Sequence, residues 1–210
     1  METPGAANRA RPATAISTTG TAPSATPPSM GEADKPAPAV ASVHELRAQL
    51  GWSWTAADGG VLEVRAARVL HPRVYFNTAR AQLRPMSLPL MDRLAEFMQA
   101  HPDISVLRIE GHTDNRGRAD YNLQLSAARA HTIARALVDR GIPCRRLEAV
   151  GFGETLPLSG NKTRVGRQRN RRMELSIARH RDVQLAPSIE RLQGVLMVDP
   201  CAPVGPTLAW

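Results

Sequence analysis

The chain has 210 residues, with 27 Lys and Arg against 19 Asp and Glu and a formal net charge of +8. That length holds one domain of ordinary size with flanking segments, not two large domains. No apolar run reaches the roughly 18–20 residues of a membrane-spanning helix, and two cysteines exclude a disulfide scaffold and a cysteine-based zinc or iron–sulfur site. Lys35 and Lys162 are the only lysines, so the basic charge is almost entirely arginine. A pI of about 10.8 admits an acidic partner without saying anything about fold.

Of the first 42 residues, 31 are Ala, Pro, Thr, Ser or Gly, and none is aromatic. Such a segment cannot bury enough surface to offset its ordering entropy and reads as a disordered linker. It has no basic stretch followed by an apolar core, so no Sec signal peptide is recognisable, and no cysteine for lipidation lies near the start. Residues 43–64 read as a short pre-domain segment. Val43–Leu50 suits a short helix stopped by Gly51, Trp52 and Trp54 alternate as strand residues do, and Asp58-Gly59-Gly60 is a turn signal.

A regular pattern follows over residues 65–182. Val69–Phe76 has strand composition. Pro85–Ala100 has helical periodicity, with Leu90, Leu94, Phe97 and Met98 on one side and Pro89 necessarily in the first turn. Ile104–Glu110 reads as a strand. Leu123–Arg140 is the longest expected helix, with Leu125, Ile133, Ala134 and Leu137 inward, Gly141 as its cap and Pro143 beyond. Leu147–Gly151 is the next strand, Thr163–Gln168 a short helix, and Arg172–Ala178 the last strand. The order β-α-β-α-β-(α)-β predicts one α/β (α+β) sandwich with a mixed sheet and helices on one face. Residues 183–210 form a tail in which Ile189–Val198 suits a short helix or strand.

The chemistry concentrates between Ile109 and Asn122. Asp114 would sit at the carboxyl end of a strand, where open α/β sheets place ligands. Arg129 would lie about two turns into the next helix, able to return its guanidinium to the strand end. Such a pair matches a zwitterion: Asp accepts from an ammonium, and Arg grips a carboxylate through two parallel charge-assisted bonds. Spacing alone favours the plainer alternative, an internal Asp114–Arg129 ion pair.

Gly111-His112-Thr113-Asp114, Tyr121-Asn122, Leu125-Ser126, Arg129-Ala130, Gly141-Ile142, Gly151-Phe152-Gly153-Glu154, Pro157, Asn161 and Asn170-Arg171-Arg172 together resemble the OmpA-like peptidoglycan-binding domain found in outer membrane protein A, Pal lipoproteins and MotB stators. The resemblance runs from about Arg65 to Asp182. It implies a noncatalytic domain that needs no cofactor and binds the meso-diaminopimelate of the wall's stem peptide, whose D-centre keeps a free ammonium and carboxylate. It implies that Asp114 takes the ammonium and Arg129 the carboxylate, with Phe76, Asn77, Thr113, Asn122 and Arg171 completing the pocket. Asn77 departs from the Asp usual in the family, and Asn170 is expected to tie the last loop rather than touch ligand. The implied setting is the periplasm, at the outer membrane or an envelope complex.

Other features carry weaker readings. His112 and Asp114 share a strand face, but two ligands do not make a metal site. Ser126 lacks the Gly-x-Ser-x-Gly elbow of a hydrolase, so no enzyme is expected. Arg164, Arg167, Arg169, Arg171 and Arg172 fall within nine residues, and residues 65–182 carry a net +11. That charge supports an alternative, a basic module of the same fold that binds anionic polymers or envelope proteins. In the second half of the domain Tyr121 and Phe152 are the only aromatics, a poor supply for a nucleic-acid stacking platform, so no specific nucleic acid is expected. A Cys144–Cys201 disulfide would form in an oxidising periplasm, but nothing in the pattern constrains the tail, so the pairing stays open.

Overall fold

The computed structural model describes residues 43–69 and 74–203. The segment read as a linker, 1–42, and residues 70–73 of the expected strand Val69–Phe76 lie outside the described residues. In chain order the elements are α1 (Val43–Gln49), β1 (Trp52–Thr55), β2 (Val61–Arg65), β3 (Arg68–Val69), α2 (Leu88–Ala100), β4 (Ile104–His112), α3 (Ala119–Val138), β5 (Leu147–Gly153), α4 (Arg164–Asn170), β6 (Arg172–His180), β7 (Val183–Gln184) and β8 (Leu196–Val198). The strands make one mixed sheet in the order β1-β2-β3-β6-β4-β5-β8, with β7 on the end of β6. Only β4 and β5 pair in parallel among the described strands, and α3 supplies the crossover such a pair requires. This is the expected α/β sandwich.

Local chemistry accounts for the elements. Asp58-Gly59-Gly60 turns β1 into β2, Asp58 Oδ1 accepting the Gly60 N–H at 2.9 Å. Trp52 and Trp54 of this hairpin pack on Phe97 of α2, at 6.4 and 6.0 Å between ring centroids. The expected helix from Pro85 begins as a 3₁₀ turn, Pro85–Ser87, and Pro89 falls in the first turn of α2, where its missing N–H costs nothing. Met91, Leu94, Phe97 and Met98 are buried against Leu107, Ile109, Leu175 and Ile177 of the sheet and Ile133 and Leu137 of α3.

Several elements differ from expectation, β5 and β6 among them, which end two residues later at Gly153 and His180. Of Val69–Phe76, the described residues contribute only the end of β3 and a single bridge between Phe76 and Leu83. β4 continues two residues past Glu110, because His112 still pairs with Arg172 of β6. Helix α3 starts at Ala119, four residues early. Its first turn is polar and carries no apolar period, although Asp120 there suits the positive end of the helix dipole.

The pairing left open by the sequence is present: Cys144 and Cys201 form a disulfide. The cause is β8, which adds antiparallel to β5 through Ala149–Val198, Val150–Met197 and Gly151–Leu196. That pairing constrains the tail and returns it to the turn before β5. His131 Nε2 lies 3.1 Å from the Ala202 carbonyl and holds the same stretch. A bridge spanning 57 residues contributes about 2–4 kcal/mol, chiefly through the unfolded chain.

Two facing glycines set the depth of α3 on the sheet. Gly111 of β4 and Gly151 of β5 are register partners. A Cβ on Gly111 would lie 2.2 Å from the Ser126 carbonyl oxygen, and one on Gly151 would lie 2.4 Å from Ala127 N. Both obstacles are helix backbone, so no rotamer change relieves them. Gly151→Ala is expected to lower stability in urea unfolding by about 1–3 kcal/mol. Gly160→Ala, where an added Cβ meets nothing within 4 Å, is expected to change it by less than about 0.5 kcal/mol. Equal effects would contradict this account of the helix seat.

Candidate functional site

At the carboxyl end of β4 the chain leaves the sheet through Thr113 and Asp114. Thr113 N donates to the Gly153 carbonyl at 2.8 Å, tying this exit to the end of β5. Asn122, in the second turn of α3, holds the same loop. Its Nδ2 donates to the Asp114 carbonyl at 3.2 Å, the Arg116 carbonyl at 3.1 Å and Glu154 Oε2 at 2.7 Å. The segment 75–84 folds back on itself, with Asn77 N donating to Gln82 O at 3.0 Å and Asn77 Nδ2 to Gln82 Oε1 at 2.8 Å. Tyr121 Oη, at 3.3 Å from the Ala79 carbonyl, joins this hairpin to α3.

A cleft of about 610 Å³ lies between these pieces, in the range of small-ligand sites. All seven residues expected to bind ligand line it: Phe76, Asn77, Thr113, Asp114, Asn122, Arg129 and Arg171. Their roles divide. Asn122 spends its amide hydrogens on the loop, and the Asn77 amide is turned to Gln82. Asn170, expected to tie a loop, does so: its Oδ1 accepts from Leu158 N and Ser159 N at 2.9 Å each, and its Nδ2 donates to Ser159 O and Asn161 Oδ1 at 2.8 Å each.

The charges fall differently from the plain expectation. No Asp114–Arg129 ion pair forms. Asp114, 6% exposed, accepts from Arg116 N at 3.0 Å on Oδ1 and from Arg171 Nη1 at 2.5 Å on Oδ2. Arg171 reaches it from the far side of the cleft with a side chain 46% exposed. The Arg129 guanidinium carbon stands 5.2 Å from the centroid of the Phe76 ring, a cation–π distance, and its Nε donates to the Arg80 carbonyl at 3.1 Å. It has no carboxylate partner among the described residues. Burial lowers its pKa, and the like charge of Arg171 adds to this. An incoming carboxylate relieves both penalties.

Among the lining residues that sequence reading did not place in the cleft is His112. His112 is 3% exposed, stacks on Phe152 at 5.1 Å and 10°, and has no hydrogen-bond partner on either ring nitrogen among the described residues. Burial, with the charge of Arg172 beside it, pushes its pKa down to about 4. Its position, two residues before Asp114, was the available signal. His112 also stands near Glu110 and Glu174, with one donor atom of each within 4.8 Å of the others. Both Glu174 oxygens already carry arginines, Arg172 Nε at 2.5 Å and Arg68 Nη1 at 2.7 Å, which supply the positive charge a metal would bring. Asp114, weighed with His112 as a metal ligand, is not in that group, and its carboxylate carries Arg171.

Residues 75–171 match the OmpA family, and this segment of the chain is an OmpA-family domain. Outer membrane protein Omp38 of Acinetobacter baumannii is 37% identical over 119 residues, 56% of this chain and 33% of that protein. Outer-membrane lipoprotein YfiB of Pseudomonas aeruginosa is 37% identical over 105 residues, 50% and 62% of the two chains. Peptidoglycan-binding protein ArfA of Mycobacterium tuberculosis is 38% identical over 104 residues, 50% and 32%. The chain thus spans from about a third to about three-fifths of the length of these relatives.

The buried imidazole makes stability depend on pH. An exposed histidine titrates near 6.5, whereas His112 stays neutral down to about pH 4. Between those values the unfolded chain binds more protons, so this contribution is complete above pH 6.5 and is lost as pH falls towards 4. The difference corresponds to about 3 kcal/mol. Glu110, held above the usual carboxylate range by burial, acts in the opposite sense. The measurement is therefore the wild-type stability loss between pH 7 and pH 4 minus that of His112→Phe, expected to be about 2–3 kcal/mol. Identical pH profiles would contradict it.

Proposed function

We propose that this domain is a noncatalytic anchor that binds peptidoglycan through the zwitterionic D-centre of diaminopimelate in the stem peptide. The single observation that carries the reading is one cleft that holds a buried carboxylate, Asp114, and a half-buried guanidinium without a carboxylate partner, Arg129. Asp114 takes the ammonium. A carboxylate has about four lone-pair sites, and only two are engaged by Arg116 N and Arg171, so the ammonium adds to Arg171 or displaces its exposed arm. Arg129, preset by Phe76 and the Arg80 carbonyl, takes the ligand carboxylate through paired bonds. Arg171 is placed to contact the same carboxylate, and Thr113 supplies a hydroxyl. Asn77 and Asn122 shape the walls from behind, so the Asn at 77 in place of the family's Asp costs the pocket a charge but not its turn.

The relatives support the coarser part of this reading. ArfA is named for peptidoglycan binding, and Omp38 and YfiB are named as outer-membrane proteins. Wall anchoring in the periplasm, at the outer membrane, is the setting we infer. Among the described residues no helix is long and apolar enough to cross a membrane. Because the cleft gathers binding groups and no activated nucleophile or acid–base pair, we read it as a binding site and not an enzyme.

A second reading rests on Lys162, Arg164 and Arg169, which are exposed and make no ion pair among the described residues. These could hold anionic polymers or envelope proteins by charge alone. Sedimentation with diaminopimelate-containing sacculi separates the two. Wild type is expected to pellet at low and high salt, and free meso-diaminopimelate to compete. Asp114→Ala and Arg129→Ala are each expected to lose at least about tenfold in affinity, the scale of a charge-assisted bond. If all three proteins pellet at low salt and release together at high salt, the cleft is not the anchor and the basic face is.

A further inference from the structure

The charges of the cleft do not balance for a zwitterion. Its lining carries four arginines, Arg116, Arg129, Arg171 and Arg172, and one carboxylate, Asp114. Arg172 is matched outside that lining, by Glu174 at 2.5 Å. The other three guanidiniums share Asp114. Nearby carboxylates do not redress the excess. Asp120 pairs with Arg118 at 2.9 Å, Glu154 accepts Asn122 Nδ2 at 2.7 Å, and neither lines the cleft. Residues 74–79 on the hairpin side bring no ionised group, since position 77 is Asn. A bound D-centre, with one ammonium and one carboxylate, has no net charge and leaves the excess as it was.

Arg116 holds the part of that excess which the zwitterion does not use. Its backbone N–H donates to Asp114 Oδ1 at 3.0 Å and its carbonyl accepts from Asn122 Nδ2 at 3.1 Å. The loop therefore fixes the point at which the side chain leaves the backbone, beside the Asp114 carboxylate. The residue is exposed, and its guanidinium has no hydrogen bond or ion pair among the described residues. A lone solvated arginine is ordinary on a surface. This one lines a cleft with two others of the same sign, and Arg129 already feels Arg171 as an unfavourable like charge. Like charges gathered in a concave site raise the local potential and concentrate anions there.

We propose that Arg116 forms a second anionic subsite of the cleft, which takes a further free carboxylate of the ligand, so that the domain prefers stem peptides carrying one beside the zwitterion. This rests on the reading of Asp114 and Arg129 as the zwitterion site. A guanidinium grips a carboxylate through two parallel charge-assisted bonds, and no protein group competes for those donors. A stem peptide offers such a carboxylate from two sources. One is the L-centre of diaminopimelate itself, where no residue follows it. The other is the α-carboxylate of a γ-linked acidic residue joined to the L-centre nitrogen. Amidation at either position removes the charge, and the preference goes with it.

Calorimetric titration of the full chain with three probes, each with a free D-centre, tests this. The neutral probe is meso-diaminopimelate N-acetylated and converted to the methylamide at the L-centre. The first anionic probe is N-acetylated there with the L-centre carboxylate left free. The second replaces the acetyl group of the neutral probe by N-acetyl-D-glutamate, joined through its γ-carboxyl with its α-carboxylate free. Wild type is expected to bind at least one anionic probe about tenfold more tightly than the neutral one, the scale of a charge-assisted bond, and the preferred probe identifies the source. In Arg116→Gln, an exposed change that keeps both backbone contacts, this ratio is expected to fall towards one. Arg145→Gln removes the same charge from the exposed turn before β5, at the end of that strand remote from the cleft, and is expected to keep the ratio. Equal affinity of wild type for all three probes, or equal loss of the ratio in the two variants, would overturn the subsite and leave the zwitterion site standing. Binding of none of the probes would overturn the zwitterion reading, and the subsite with it.

Discussion

The site depends on how closely α3 can approach the sheet. Gly111 and Gly151 face each other on the one parallel strand pair, and the backbone of Ser126 and Ala127 fills the space where two Cβ atoms would stand. Ser126 Oγ then donates to the Leu123 carbonyl at 2.8 Å and accepts from Gly153 N at 2.9 Å, stitching the helix to the end of β5. Asn122 and Arg129 ride on this helix, and Asp114 leaves the strand beneath it. A helix seated one methyl group higher would lift the guanidinium away from the carboxylate loop. The position of the proposed binding groups is thus inherited from a helix–sheet packing contact.

Electrostatics explain why the cleft can be both stable and receptive. Asp114 is buried and would be costly alone, so Arg171 and a backbone N–H hold it. Arg129 has no carboxylate partner among the described residues, its charge tempered by the Phe76 ring, the Arg80 carbonyl and Tyr121. The result is an excess of positive charge with one fixed negative point. The proposed capture of a zwitterion rests on that pattern. The exposed Arg171 arm is the adjustable part, and Arg129 is the rigid one.

Much of this was legible in the chain. Turn glycines, helix periodicity and strand composition located most elements, and the family resemblance carried by the ordered motifs from Gly111 to Arg172 placed seven residues, Phe76 and Asn77 among them, that line one cleft. The misses have physical causes. The start of α3 is polar, so periodicity could not reveal it. The Asp114–Arg171 pair joins residues 57 positions apart, and spacing along one helix suggested Arg129 instead. The disulfide depended on β8 pairing with β5, a contact that three residues of weak pattern do not announce. His112 looked like an ordinary strand histidine until its burial and its two unpaired nitrogens placed it in the cleft wall.

The central claim is that Arg129 meets a ligand carboxylate beside Asp114. Two-dimensional NMR of the nitrogen-15-labelled protein, recorded on the arginine Nε–Hε and backbone amide resonances during titration with meso-diaminopimelate, tests it most directly. The account predicts saturable shifts of Arg129 Nε–Hε together with the amides of Thr113, Asp114 and Asn77. Shifts confined to Lys162 through Arg169, with Arg129 unmoved, would contradict it.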